Sequence, residues 1–523
     1  MSSSNQVLPY APAPVGQSLG QKTSRGFIWL MGQTIALKLL SALGQVVIAY
    51  LLVPGELGLV GLAYTTAGFA GVVQQTGVRD ILIARHARFR RWANAGFWIA
   101  LSSGIIACAM QLVMGLFIAH LYPKLIPADT SRIAGLLVLL GLAAPLNALS
   151  IVPMAQLSNQ LRFRTVAAVN IWQTVSILLL SIFFAAPPFR LGAYAIILPR
   201  PIVSLIQAIW LWWITRPPVQ WWPQFRRWKF LLGDSGWNVL NWLFAYIIFQ
   251  GDYFALGMMH TVDVVGIYYF AYGLSMQTQM VFTINLWGVL LPALAKLQDD
   301  LPRQTAAFLR AARLLAIVAV PICLLQAAAA DPLLHLFFKP KWYSGIPVLQ
   351  VLSIGMAVQC VSGTFSTLLM ARGRFRSNMI LQGAGAVVFA ALVWNGSMAG
   401  GDAGPHRADL TVAVAVACYY AICGPIFLYV AIRPGGGRWQ DVVAVLLPPL
   451  IAGAAAAAIA MLAASMLPPM PLRDGARVAV TVAVQGAIYL PLIRLLAPKG
   501  CADLQARLVD LFAGLRAKFA SPA

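Results

Sequence analysis

Of the 37 lysines and arginines in this 523-residue chain, two stand inside long apolar stretches, Lys38 and Arg200. A cation in hydrocarbon costs about 2.5–3.5 kcal/mol on insertion scales unless water or a counter-charge meets it. The chemistry open to a buried ammonium and a buried guanidinium is anion binding, and the guanidinium fork matches phosphate oxygens two at a time. Lys38 belongs to a polar stripe: Thr34, Lys38, Ser41 and Gln45 recur at helical spacing and share one face. It lies about 18 Å along that helix from Gly26, too far to reach a headgroup layer. Pairing with a neighbouring helix is the alternative to a binding role. Arg200 is flanked by Pro199 and Pro201, which remove backbone donors and break or bend a helix. The guanidinium then holds an anion, neutralises freed carbonyls or pairs with an acid across the molecule.

A second stripe, Asp234, Asn238, Asn241 and Asp252, falls within a narrow arc of a 3.6-residue helix. Asp234 near one end reads equally as a helix cap. Asp252 lies near the other end, where solvation alone would explain it. The candidate binding set is therefore Lys38, Arg200, Gln45, Asn238, Asn241 and Asp252, aimed at a cavity shared by two halves of the chain. Nothing points to catalysis. The five histidines have no partner at ligand spacing, and the six cysteines form no Cys-x-x-Cys pair, so neither a metal nor another cofactor is expected. No phosphate loop of the ATP-hydrolysing kind is present.

The elements that position these residues follow from composition. Sixty per cent of the chain is hydrophobic and 10% charged, against about 25% charged in a soluble domain, so lipid must cover the excess. Fourteen apolar stretches, the first at 26–51 and the last at 475–497, are each long enough for a helix across hydrocarbon, and too long and uniform for barrel strands. The expected fold is an all-α polytopic membrane protein. The net charge of +22 would suggest nucleic acid in a soluble protein, but here the basic residues sit between apolar stretches. With the N-terminus inside, 27 of them fall in cytoplasmic segments and eight outside, Lys38 and Arg200 being the remaining two of 37. That asymmetry places both termini in the cytoplasm. The first apolar segment is too long for a signal-peptide core, so the mature chain is expected to begin at Met1.

The organisation divides into a polar tail (1–25), a six-helix lobe (26–215), a cytoplasmic linker (216–229), a second six-helix lobe (230–432), two further helices (433–497) and an amphipathic cytoplasmic tail (498–523). Within that tail, residues 501–519 gather leucines and phenylalanines on one face, the pattern of a helix lying on the membrane surface. An internal repeat supports the two lobes. Leu157–Arg164 and Leu369–Arg376 both end in Arg-Phe-Arg, 212 residues apart, and Gly55-Glu56-Leu57-Gly58 has a counterpart in Asp263-Val264-Val265-Gly266, 208 residues on. Two matches at nearly one offset, each after the same helix of its lobe, imply parallel repeats.

Several segments in order resemble a known family. They include Leu51–Val60 with Gln75–Ile83, Pro153–Phe163, and Gly251-Asp252-Tyr253 followed by Gly266–Tyr272. Pro292–Asp299, Lys341-Trp342 with Pro347–Gln350, and Gly373-Arg374 complete the series. Over roughly residues 25–430 the chain resembles polysaccharide transporters of the Wzx type, relatives of the lipid II flippases and MATE exporters. The resemblance implies two V-shaped lobes around a basic cavity and alternating access. It implies a substrate of undecaprenyl-diphosphate-linked oligosaccharide moved across the bacterial inner membrane for exopolysaccharide, capsule or O-antigen synthesis. Lys38 and Arg200 suit a diphosphate. Membrane lipids are partners, with a polysaccharide polymerase and export machinery as further ones. A MATE-like cation or drug antiporter is the alternative and would want acidic groups in its cavity. A polymerase or ligase would want a large outer loop, which is absent, and a scaffold without transport stays open.

Overall fold

Hydrocarbon offers a backbone no partner but itself, so a chain this apolar must close its hydrogen bonds within helices. The computed structural model describes residues 37, 40, 41, 43–74, 77–84, 89–160, 162–220, 222, 223, 225, 228, 235–402, 407–467, 473–498, 500–503 and 505. Thr34, Lys38, Asp234 and residues 506–523 of the expected surface helix lie outside the described residues. The first lobe comprises α1 (43–51), α2 (Pro54–Gly71), α3 (Phe89–Leu116), α4 (Pro127–Asn159), α5 (Phe163–Ala185) and α6 (Tyr194–Ile197 continuing as Pro199–Thr215). The second comprises α7 (Ser235–Met259), α8 (Val262–Ala295), α9 (Leu301–Phe337), α10 (Ile346–Ser362 continuing as Phe365–Ala371), α11 (Phe375–Asp402) and α12 (Ala408–Ile432). The remaining two are α13 (Trp439–Ser465) and α14 (Arg473–Leu496). Counted over the described residues, twelve helices are long and apolar enough to cross a membrane, all but α1 and α8 of this set. Leu179, Val387 and Leu490 are each 60% exposed or more, as expected of side chains that face lipid.

Each lobe repeats one packing scheme. In the first, α4 lies against α2, α3 and α6, and α5 against α6; in the second, α10 lies against α8, α9 and α12, and α11 against α12. Phe163 and Phe375 each open the fifth helix of their lobe. The lobes meet along α2, which packs on α7 and α8. A β-carbon on Gly58 would overlap the Val262 carbonyl, and one on Gly266 would overlap the Pro54 carbonyl. Both pairs of positions, 54 with 262 and 58 with 266, are 208 residues apart. The contact is therefore reciprocal, as across a two-fold axis, and the two glycines let backbone meet backbone where α2 and α8 begin. The α9–α10 turn stitches the same end: buried Trp342 donates from Nε1 to Ala49 O at 2.9 Å, and Lys341 Nζ donates to Leu52 O.

At two prolines inside the spans, a side chain takes the carbonyl that the proline frees. Pro153 cannot donate to Leu149 O, and Trp212 Nε1 donates to it instead at 2.9 Å. Pro321 likewise frees Ile317 O, which accepts from the Tyr489 hydroxyl at 2.7 Å. These are continuous helices whose lost bonds are replaced by neighbouring side chains. The second replacement also fixes α14 on α9, which together with α13 forms a layer on the outside of the second lobe.

Candidate functional site

The prolines around Arg200 act differently from the expected mid-helix break. Leu198 keeps right-handed helical dihedrals (φ −54°, ψ −38°), and Pro199 takes the first position of the helix that follows. A first-turn proline gives up a donor that has no intrahelical partner anyway. Arg200 is thus held in the first turn of a helix begun by a rigid residue. Its Nε donates to the Tyr64 hydroxyl, and its Cζ stands 4.7 Å from the Tyr64 ring centroid. Among the described residues no carboxylate pairs with it, and no backbone carbonyl accepts from it. None of the described residues engages either Nη group. The residue lines a cavity of about 220 Å³ within the first lobe, together with Gln74, Gln111, Asn147, Gln173 and Ser204. Ser204 donates to Asn147 at 2.8 Å. Gln74 Nε2 and Gln111 Oε1 are buried and have no partner among the described residues.

A second cavity, about 200 Å³ and mostly apolar in its walls, lies within the other lobe between α7, α8, α10, α11 and α12. Asn241 lines it and accepts from Asn378 Nδ2 at 2.9 Å. The partition between the cavities is the α2–α7 contact. The Tyr246 hydroxyl donates to the Tyr64 and Thr65 carbonyls at 3.1 and 3.0 Å, in space that Gly68 leaves open.

Among the described residues, those singled out from sequence are therefore not gathered in one shared cavity. Arg200 and Asn241 line two different ones, because α2 and its tyrosine contacts stand between them. Gln45 sits at the boundary of the lobes, its Oε1 3.5 Å from Gln277 Nε2 of α8. Lys38 and the Asn238 side chain lie outside the described residues. Asp252 is not solvated at a helix end: it is fully buried, accepts from the Tyr268 hydroxyl at 2.8 Å and from the Tyr253 amide at 2.9 Å, and lines neither cavity. Missed from sequence were the paired linings. Asn147 and Gln359 are 212 residues apart and Gln173 and Gln382 209; Tyr64 and Tyr272, 208 apart, also correspond, but Tyr272 does not line the second cavity. The signal was available, since Gly58–Tyr64 and Gly266–Tyr272 share glycine, alanine and tyrosine at the same three positions.

Solved structures share this arrangement. The lipid II flippase MurJ in an inward closed conformation superposes with a TM-score of 0.69 over 90% of this chain and 99% of its own, at 13% identity. An inward-facing MATE family multidrug transporter gives 0.61 over 76% and 96%, at 14% identity. At such identities the likeness is one of fold. Among curated proteins, the teichuronic acid biosynthesis protein TuaB of Bacillus subtilis is 24% identical over 58% of this chain. That match spans 62% of TuaB's own length. The lipopolysaccharide biosynthesis protein WzxC of Escherichia coli is 23% identical over 73% of this chain and 77% of its own. The succinoglycan biosynthesis transport protein ExoT of Rhizobium meliloti is 22% identical over 63% and 65%. The family model described as polysaccharide biosynthesis protein matches residues 47–347, more than half of the 523, and the chain belongs to that family.

Proposed function

We propose that the chain is a flippase that carries undecaprenyl-diphosphate-linked oligosaccharide repeat units across the bacterial inner membrane by alternating access. The units would feed exopolysaccharide, capsule or O-antigen synthesis and pass to a polymerase and export machinery. The observation that carries this reading is Arg200: a guanidinium whose Nη groups no described residue engages, in a polar cavity of an otherwise apolar bundle. Such a group is costly unless water or an anion meets it, and a diphosphate would accept charge-assisted hydrogen bonds from it while its lipid tail stays in the bilayer. The MATE-like alternative wants acids in the cavity, and neither cavity is lined by one. Purified protein in liposomes should move a fluorescent undecaprenyl-diphosphate oligosaccharide between leaflets. Rates no faster than in empty liposomes would refute the reading.

The loop charges further support an orientation with both termini cytoplasmic. Lys124, in the α3–α4 turn, and Arg164, at the start of α5, are exposed. In intact cells an impermeant thiol reagent should label Lys124→Cys and spare Arg164→Cys; the reverse pattern would invert the topology.

A further inference from the structure

Two amides line both cavities at equivalent places of the repeat, yet the cavities differ in charge. Asn147 and Gln173 have their partners in Gln359 and Gln382, within the 208 to 212 residues that separate the repeats. Arg200 has no such partner: the same offsets lead to Ala408–Val412, where the only polar residues are Asp409 and Thr411. Neither lines the second cavity, and no charged residue does. Its walls carry the amides of Asn241, Gln279, Gln359 and Gln382 beside the rings of Trp242 and Tyr419.

Amides both donate and accept, so four of them around one space suit a neutral ligand rich in hydroxyl groups. Aromatic faces beside them suit the apolar faces of a ring. The cavity is built for such a ligand in one further respect. Gln279 is 6% exposed, and its Oε1 has no partner among the described residues. An orphaned acceptor at that depth is costly, and a donor from a bound ligand removes the cost. The volume of about 200 Å³ equals roughly seven waters at about 30 Å³ each, the scale of one pyranose ring and not of an oligosaccharide.

We propose that the second-lobe cavity is a sugar subsite that holds one neutral hexose unit of the substrate. On the flippase reading, on which this inference rests, the lipid-linked unit is divided between the lobes: the diphosphate goes to Arg200 and a sugar goes to the amide cage. Specificity for the repeat unit then resides in Gln279, Gln359 and Gln382, because a site that hydrogen-bonds hydroxyl groups rejects ligands that lack them.

The test compares two kinds of probe on purified protein in nanodiscs. One is bare undecaprenyl diphosphate. The others carry a single glucose, galactose or N-acetylglucosamine. Wild-type protein should bind at least one hexose-bearing probe more tightly than the bare lipid. Gln359→Leu and Gln382→Leu should each weaken that probe about tenfold, the scale of a lost buried hydrogen bond, and leave the bare lipid unchanged. Gln382→Asn should recover part of the loss, and unchanged melting temperatures exclude misfolding. Equal weakening of both probes, no weakening, or no hexose preference in the wild type would each overturn the sugar subsite. Arg200→Gln reports separately. If it leaves the bare lipid unaffected while the leucine variants still discriminate, the diphosphate site fails and the sugar subsite stands.

Discussion

Replacing Arg200 with glutamine should reduce polymer export to background while protein level and membrane insertion stay near normal. Among the described residues the guanidinium lines a cavity with no acid beside it, so its removal unbalances no ion pair there and leaves Tyr64 with a neutral partner. Hydrogen bonds to charged groups contribute about 1.5–3 kcal/mol each, so losing even one from a bound diphosphate weakens binding roughly 10- to 150-fold. Arg200→Lys should fall between, since an ammonium keeps the charge and loses the fork. Radiolabelled or fluorescent substrate binding, measured beside export, checks both. Wild-type export from Arg200→Gln would make this arginine a packing device and place the anion elsewhere, with Lys38→Ala the next variant to assay.

The second large effect is expected where the lobes touch. Gly58→Leu and Gly266→Leu should each abolish transport and lower the melting temperature, because the added side chain meets a backbone carbonyl that cannot rotate away. Overpacking of this kind costs about 1–3 kcal/mol, occasionally more. On the alternating-access reading proposed above, the cost falls on the state in which this end is closed. Gly71→Ala is the control: it lies in the same helix with nothing within 4 Å of a built β-carbon, and alanine is the better helix former by about 1 kcal/mol. That variant should match or exceed wild-type stability. Normal transport from either leucine variant would show that the α2–α8 crossing does not need to close.

The repeat explains why so much of this molecule was legible before its structure. Arg-Phe-Arg at 162–164 and 374–376, and the glycine turns at 58 and 266, marked equivalent places, and those places open α5 and α11 and form the reciprocal α2–α8 contact. Equivalence along a chain says nothing about meeting in space, however. Gly58 and Gly266 were matched as corresponding positions, and only the fold brings them against each other. Asn147 with Gln359 and Gln173 with Gln382 were overlooked because isolated amides in apolar helices carry no pattern by themselves. Their correspondence emerges once both are seen to line a cavity.

Sequence alone determined that the chain is helical and spans a membrane, since 60% hydrophobic residues in runs of twenty or more admit no other closed set of backbone hydrogen bonds. It also determined that Arg200 needs a reason to be where it is. The tertiary structure decided what that reason can be. A stripe on a helical wheel shows which residues share a face, not which helix covers that face. Asp252 shares an arc with Asn241, yet α8 turns Tyr268 onto it and buries it completely. Arg200 and Asn241 were expected across one cavity, yet Tyr246 bonded to the backbone of α2 stands between them. Burial and partition are set by neighbours far away in the chain, and no spacing within a single helix encodes them.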